Sequence, residues 1–218
     1  MTNLRLLFII ITTAAIVSCA TTGGVPKAVD ADSGGIGTLL SFRDAALPFV
    51  SDRPHKFFLV KVDESGDLFN QNTLITSNYF HGAFLYALNL EPGKYAAVAG
   101  QFTNIVQIDN ETEKTEKIVF FDKDIIQASV VNVEPGRITF MGDFDIQSHT
   151  RYYEDPDEAQ EHYMALLTRE VQLLGSLVKN KNDEKRTKWF LKFASKHLEK
   201  GGWSDGIEKQ LAELKAGM

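Results

Sequence analysis

The sequence predicts an α+β protein, an antiparallel β-sandwich of about seven strands followed by two to three amphipathic helices. Three observations carry that expectation. Between Thr38 and Gln147, runs of β-branched and aromatic residues alternate with clusters of Asp, Ser, Pro and Gly. Near the end of this region Ile138, Phe140, Phe144 and Ile146 share one face of a strand, and Thr139, Met141, Asp143, Asp145 and Gln147 share the other, the pattern of one buried and one wet face. After Asp155 the apolar spacing changes to three and four residues, the period of a helix.

The first segment, residues 1–18, has the layout of a secretory signal. A short start with one positive charge, Arg5, precedes the mostly apolar run Leu6 to Val17, and small residues follow. A bilayer-spanning helix needs roughly 20 apolar residues, so this run is short for a permanent anchor. Ile16-Val17-Ser18-Cys19 contains the only cysteine of the chain. It resembles the lipobox of bacterial lipoproteins, and the resemblance implies cleavage before Cys19, a diacylglycerol thioether on its sulfur and acylation of its amine with palmitate-like chains. Several chains are needed because one acyl chain binds a membrane only marginally and reversibly. By the same resemblance, Ala20 after the cysteine implies the outer membrane of a Gram-negative-type cell envelope. With Cys19 acylated, no thiol remains for redox or metal chemistry, and the fold must be held by its core. Residues 19–37 are rich in Thr, Gly, Ala, Ser and Asp and are expected to form a flexible tether.

The β-domain is expected over 38–150. Strands are read at Lys56–Val62, Gly82–Leu90, Lys94–Phe102, Lys117–Phe121, Ile125–Val133 and Arg137–Ile146. One motif occurs twice, as Leu88-Asn89-Leu90-Glu91-Pro92-Gly93-Lys94 and Val131-Asn132-Val133-Glu134-Pro135-Gly136-Arg137. Pro-Gly suits the corners of a type II turn, so each copy reads as strand, turn, strand, with the glutamate and the following base able to pair across the mouth. The run Ala87 to Tyr95 resembles transthyretin-like and carboxypeptidase-regulatory-like β-sandwich modules. The second copy, running into Ile138-Thr139-Phe140-Met141-Gly142-Asp143-Phe144, resembles poorly characterised bacterial lipoproteins that carry such a domain. The resemblance implies a transthyretin/Ig-like sandwich serving interaction or structure.

The last segment, 151–218, reads as helical. Asp155-Pro156 with Glu158 gives a cap, a first-turn proline and a capping-box acid, and Tyr163, Leu166, Leu167, Val171, Leu174 and Val178 follow at helical spacing. Asn182-Asp183 starts a second helix stopped by Gly201-Gly202, and Ser204 caps a third.

Candidate sites are few. The five histidines show no i, i+4 pair, and there is no HExxH, paired-cysteine, G-x-S-x-G or phosphate-loop pattern. No catalytic residue, metal ligand or cofactor site is therefore assigned. Asp143 with Asp145, Asp122 with Asp124, and Asp63, Ser65 and Asp67 offer oxygen ligands, but none matches the twelve-residue calcium loop and turn chemistry accounts for them. Lys185, Lys188, Lys192 and Lys196 fall on one face of the second helix beside Trp189, Phe190 and Phe193. They form a candidate surface for anionic headgroups or an acidic partner, while pairing with the acidic first helix and a solvated face explain the same residues. The net charge of −6 argues against nucleic acid as a partner. The expectation is a non-enzymatic envelope lipoprotein, bound to the membrane through Cys19 and to another envelope protein, or alternatively a binding module for a small ligand, glycan or lipid.

Overall fold

The computed structural model describes residues 24–30, 32–43, 51–108, 111–148, 155–167 and 171–216. The signal segment and Cys19 lie outside the described residues. Among the described residues there are ten strands: β1 (Gly34–Arg43), β2 (Ser51–Lys61), β3 (Leu74–Thr76), β4 (Tyr79–His81), β5 (Phe84–Leu90), β6 (Gly93–Ile108), β7 (Glu111–Phe121), β8 (Val131–Val133), β9 (Ile138–Ser148) and β10 (Gln172–Lys181). The helices are α1 (Lys123–Ala128), α2 (Glu158–Leu166), α3 (Glu184–His197) and α4 (Ser204–Ala216), with one 3-10 turn at Glu199–Gly201.

Six of the strands close into a ring, in the order β1-β2-β6-β7-β10-β9 and back to β1. The fold is therefore a mixed β-barrel with four helices, which overturns the expected antiparallel sandwich and its transthyretin/Ig-like resemblance. Two parallel pairings make the difference: β1 with β9, from Gly35↔Ile138 to Arg43↔Gln147, and β7 with β10, from Ile118↔Gln172 to Phe121↔Gly175. The strands that supply them are those the sequence hides. β1 lies in the glycine-rich stretch read partly as tether, and β10 occupies the second half of the expected first helix. The C-terminal segment is thus not purely helical, since β10 sits between α2 and α3 as a barrel stave.

The seam between β1 and β2 is only partly direct. The two strands pair at Phe42↔Asp52 and Arg43↔Ser51. Elsewhere the first half of β1 pairs with β5, the last part of β2 pairs with β3, and β4 pairs with β5. The β3–β4 ribbon spans the gap, with Ser77 N–H donating to Phe57 O and Asn78 N–H to Tyr86 O. Closure leaves few free edges for another chain to extend.

Two apolar cores flank the barrel wall. The larger runs through the ring, where Phe42 and Phe102 meet at 5.0 Å from unpaired strands, and out to Ile125 and Ile126 of α1 and Tyr163 of α2. The second lies between β1, β5 and β9 and the helices α3 and α4, and contains Tyr86, Leu88, Ile138, Phe140, Phe190, Leu198, Trp203 and Ile207. A bulge in β9 divides the two. Gly37 pairs with Phe140 and Thr38 with Gly142, leaving Met141 as the extra residue. Ile138 and Phe140 consequently face the helices, while Met141, Phe144 and Ile146 join the barrel core. The single apolar face read from the sequence is split between two cores, and Gly142 accommodates the kink at φ 144°.

Local readings are corrected in the same way. Ile125–Val133, expected as a strand, begins as α1 because the Asp122 side chain accepts from Ile125 N–H at 2.8 Å and caps the helix. In α2 the cap is Asp157, with a full capping box to Gln160, in place of Asp155. Asp183 does cap α3, and Gly202 ends the following turn in the left-handed region. The Ser204 hydroxyl donates back to Ser195 O and does not cap α4.

Neither Pro-Gly copy forms a hairpin. Instead the two copies pair with each other, Gly93↔Val133, Lys94↔Asn132 and Tyr95↔Val131. Glu134 reaches Arg137 at 3.3 Å as expected, whereas Glu91 pairs with Lys61 at 2.7 Å. The described part of the expected tether is also held. Asn89, at φ 62°, accepts from Val29 N–H and donates to Lys27 O, while Trp203 Nε1 donates to Pro26 O at 2.9 Å.

Candidate binding groove

Three neighbouring strands place alternating charges on the outer barrel wall. The cross-strand register sets Lys179 beside Asp145 and Lys181 beside Asp143. Arg43 at the end of β1 donates Nε to Asp145 Oδ1 at 3.1 Å and also donates Nη2 to Oδ2. Arg186, in the first turn of α3, donates Nη2 to Asp143 Oδ2, and its guanidinium carbon lies 3.8 Å from the Trp189 ring centroid. Strand periodicity explains the arrangement. Residues two apart on β9 and on β10 point the same way, so two carboxylates, each paired with an arginine, stand in register beside two unpaired lysines among the described residues.

This wall lines a groove of about 1020 Å³ that continues over the β1–β2 seam to Asp52, Arg53, Pro54 and His55, to Phe80, Gly82 and Ala83 of the β4–β5 turn, and to Thr103 and Lys114. Among its described lining residues are six cations, Arg43, Arg53, Lys114, Lys179, Lys181 and Arg186, against three carboxylates, Asp52, Asp143 and Asp145. That local excess stands against a chain of net charge −6. Lys114 is paired with Glu116 at 2.6 Å, and Asp52 with the buried Lys117 at 3.5 Å. Arg53, Lys179 and Lys181 have no ion pair among the described residues, and the lysines are exposed. Thr103 is 8% exposed, and its Oγ1 is buried without a hydrogen-bond partner among the described residues.

His55 packs on Phe80 at 4.9 Å. Burial, and then the positive charges of Lys56 and Lys114, hold its pKa below the ordinary imidazole value. The lining hydroxyls of Ser41 and Thr103 donate to no imidazole or carboxylate among the described residues, so the groove presents charge and hydrogen-bond donors without an assembled nucleophile–base pair.

The sequence-predicted residues lie elsewhere. Cys19 is outside the described residues. Lys185, Lys188, Lys192 and Lys196 lie on α3, where Lys188 is half-buried and paired with Glu184 at 2.7 Å and the other three are exposed. Of the accompanying aromatics, Phe190 is fully buried, while Phe193 remains 38% exposed against Trp189. The acidic first helix does not neutralise the stripe through Glu158, which pairs with Lys123, or Asp157, which caps α2.

The carboxylate groups noted as oxygen ligands are engaged otherwise. Asp143 and Asp145 hold arginines, Asp122 caps α1, and Asp63 accepts from Ser65. Among the described residues no group of three or more His, Cys, Asp or Glu side chains is arranged to hold a metal. Two histidines do meet: His81 stacks on His197 at 4.0 Å, with Tyr86 Oη 3.2 Å from His197 Nδ1. The groove cations were missed because Lys179-Asn180-Lys181 sits in a stretch with helical apolar spacing. Its alternation was the available signal.

Comparison with family models, curated proteins and solved structures finds no match to this chain.

Proposed function

We propose that the chain is a lipid-anchored cell-envelope protein that works by binding a small polar ligand in the groove on its barrel wall. The groove carries the reading: a concave surface of about 1020 Å³ combines convergent cations with a buried hydroxyl lacking a partner among the described residues. The acyl anchor is proposed from the lipobox-like segment ending at Cys19, with the outer membrane as its destination. No catalytic step is assigned, because the groove chemistry supports recognition.

A protein-interaction role is the second reading, favoured by one observation. Phe193 is 38% exposed and packs with Trp189 and Phe84 beside the exposed Lys192 and Lys196.

Both halves of the proposal are testable. Incorporation of labelled palmitate should require Cys19, and Cys19→Ala protein should leave the membrane fraction. A thermal-shift screen should find ligands that raise the midpoint, since binding to the native state stabilises it. Retention of the Cys19→Ala protein in membranes without detergent would defeat the anchor. A screen in which ligands stabilise wild type and an Arg53→Ala/Lys181→Ala variant equally would defeat the groove.

A further inference from the structure

We infer that the ligand of the groove is a phosphate monoester, a refinement that rests on the binding role proposed above. The argument starts from which donors remain unused. The planar guanidinium fork that matches a carboxylate is already occupied in Arg43, whose Nε and Nη2 both donate to Asp145, and Arg186 is held by Asp143. What the groove offers an incoming group is two ammonium groups, the Arg53 guanidinium, the Arg186 Nε–H and the hydroxyls of Ser41 and Thr103. Lys179 and Lys181 are two residues apart on one strand, so they stand roughly 7 Å apart on the same side. A tetrahedral oxyanion fits between such a pair of point charges.

Charge points the same way. The lining carries three more cations than carboxylates, and a phosphate monoester brings about −1.5 to −2 at neutral pH against −1 for a carboxylate. The Thr103 Oγ1, buried without a partner among the described residues, supplies a donor that bulk solvent does not satisfy. Phe80 and Pro54 on the facing rim provide apolar surface for the organic portion.

The test is calorimetric titration of the full-length protein in detergent with glucose 6-phosphate, glycerol 3-phosphate, gluconate and glucose, repeated with Lys179→Ala/Lys181→Ala and Thr103→Val. Both lysines are exposed, so an unchanged melting temperature will show that the double variant is folded. The expected result is saturable binding of a phosphate ester, tighter than gluconate, weakened at least about tenfold in the double lysine variant and about threefold in Thr103→Val. Preference for glycerol 3-phosphate over glucose 6-phosphate would point to a lipid headgroup, and the reverse to a sugar phosphate. Either supports the assignment. Phosphate binding that the double variant leaves unchanged overturns it. If gluconate or glucose saturates the groove while the phosphates do not, the phosphate assignment falls and the binding role stands. If none binds, the phosphate assignment falls and the thermal-shift screen decides the binding role separately.

Discussion

Gly37 sits where the barrel wall meets α3, and a single methyl group there tests how the two are joined. A Cβ at Gly37 would lie 2.1 Å from Phe190 Cζ, which is 1.3 Å inside the 3.4 Å at which ordinary contact begins. The ring has little room to retreat. Phe190 is fully buried, stacks on Phe140 at 4.5 Å, and is flanked by Tyr86 at 5.8 Å and Phe84 at 6.1 Å. Gly37→Ala should therefore cost about 3 kcal/mol, the upper end of the usual overpacking range. Phe190→Leu alone should cost about 1–2 kcal/mol through lost contact area and an imperfectly filled site. Because the smaller side chain relieves the clash, the double variant should be more stable than the two single losses predict, by at least about 1 kcal/mol. Urea unfolding of all four proteins gives the cycle. A neutral Gly37→Ala, or strictly additive losses, would refute the docking of α3 on β1.

Other consequences follow from charge and backbone. Lys117→Met should destabilise by about 3–5 kcal/mol by stripping the buried Asp52 carboxylate of its ammonium partner, and adding Asp52→Leu should recover part of that loss in denaturant titrations. His197 is held to about 4, first by burial and then by His81 and Lys196. The unfolded chain thus takes up a proton near pH 6.5 that the folded chain refuses until about 4. This contribution is complete above about pH 6.5 and is lost as pH falls toward 4, by roughly 1 kcal/mol once solvent screening of the half-exposed ring is included. His197→Gln should flatten that part of the stability–pH curve, and an unchanged slope would contradict the assignment. Asn89→Ala places a β-carbon residue without a compensating side-chain bond at φ 62° and removes the clamp on Lys27 and Val29. A loss of about 1–2 kcal/mol and faster proteolytic cleavage near Val29 are expected. Resistance equal to wild type would show that the clamp holds nothing.

Strands β2, β5 and β6 and the end of β7 were legible in the sequence because each runs as β-branched and aromatic residues bounded by turn signals, whereas the three-residue strands β3 and β4 were too short to show an alternation. The last two helices were legible because Asp183 and Gly202 punctuate α3 and the turn after it. What the sequence conceals is long-range partnership. In β1 the glycines at 34, 35 and 37 look like linker composition, yet each lies where a Cβ would meet packed atoms, Glu134 O, Ile138 Cδ1 and Phe190 Cζ respectively. They mark close approach of neighbouring elements. In β10, Leu174 and Val178 fit a helical period by accident of spacing, and a bulge between Leu177 and Lys179 further disturbs the strand alternation. β9 breaks its own alternation at Met141, so its two apolar faces were read as one. The groove inherits all three difficulties, since Arg43, Asp143, Asp145, Lys179 and Lys181 come from β1, β9 and β10. Asp143 and Asp145 were visible as a pair on a polar strand face, but the arginines and lysines that meet them come from elements that only the closed ring brings together.

Ring closure by β1 and β10 is the claim on which the groove depends, and amide hydrogen exchange of the full-length protein, followed by mass spectrometry, tests it most directly. The account predicts that amides within 34–43 and 172–181 are protected to the same order as those in the middle of β6. Complete exchange of 34–43 within seconds, with β6 still protected, would return that segment to a tether and remove the barrel wall that carries Arg43.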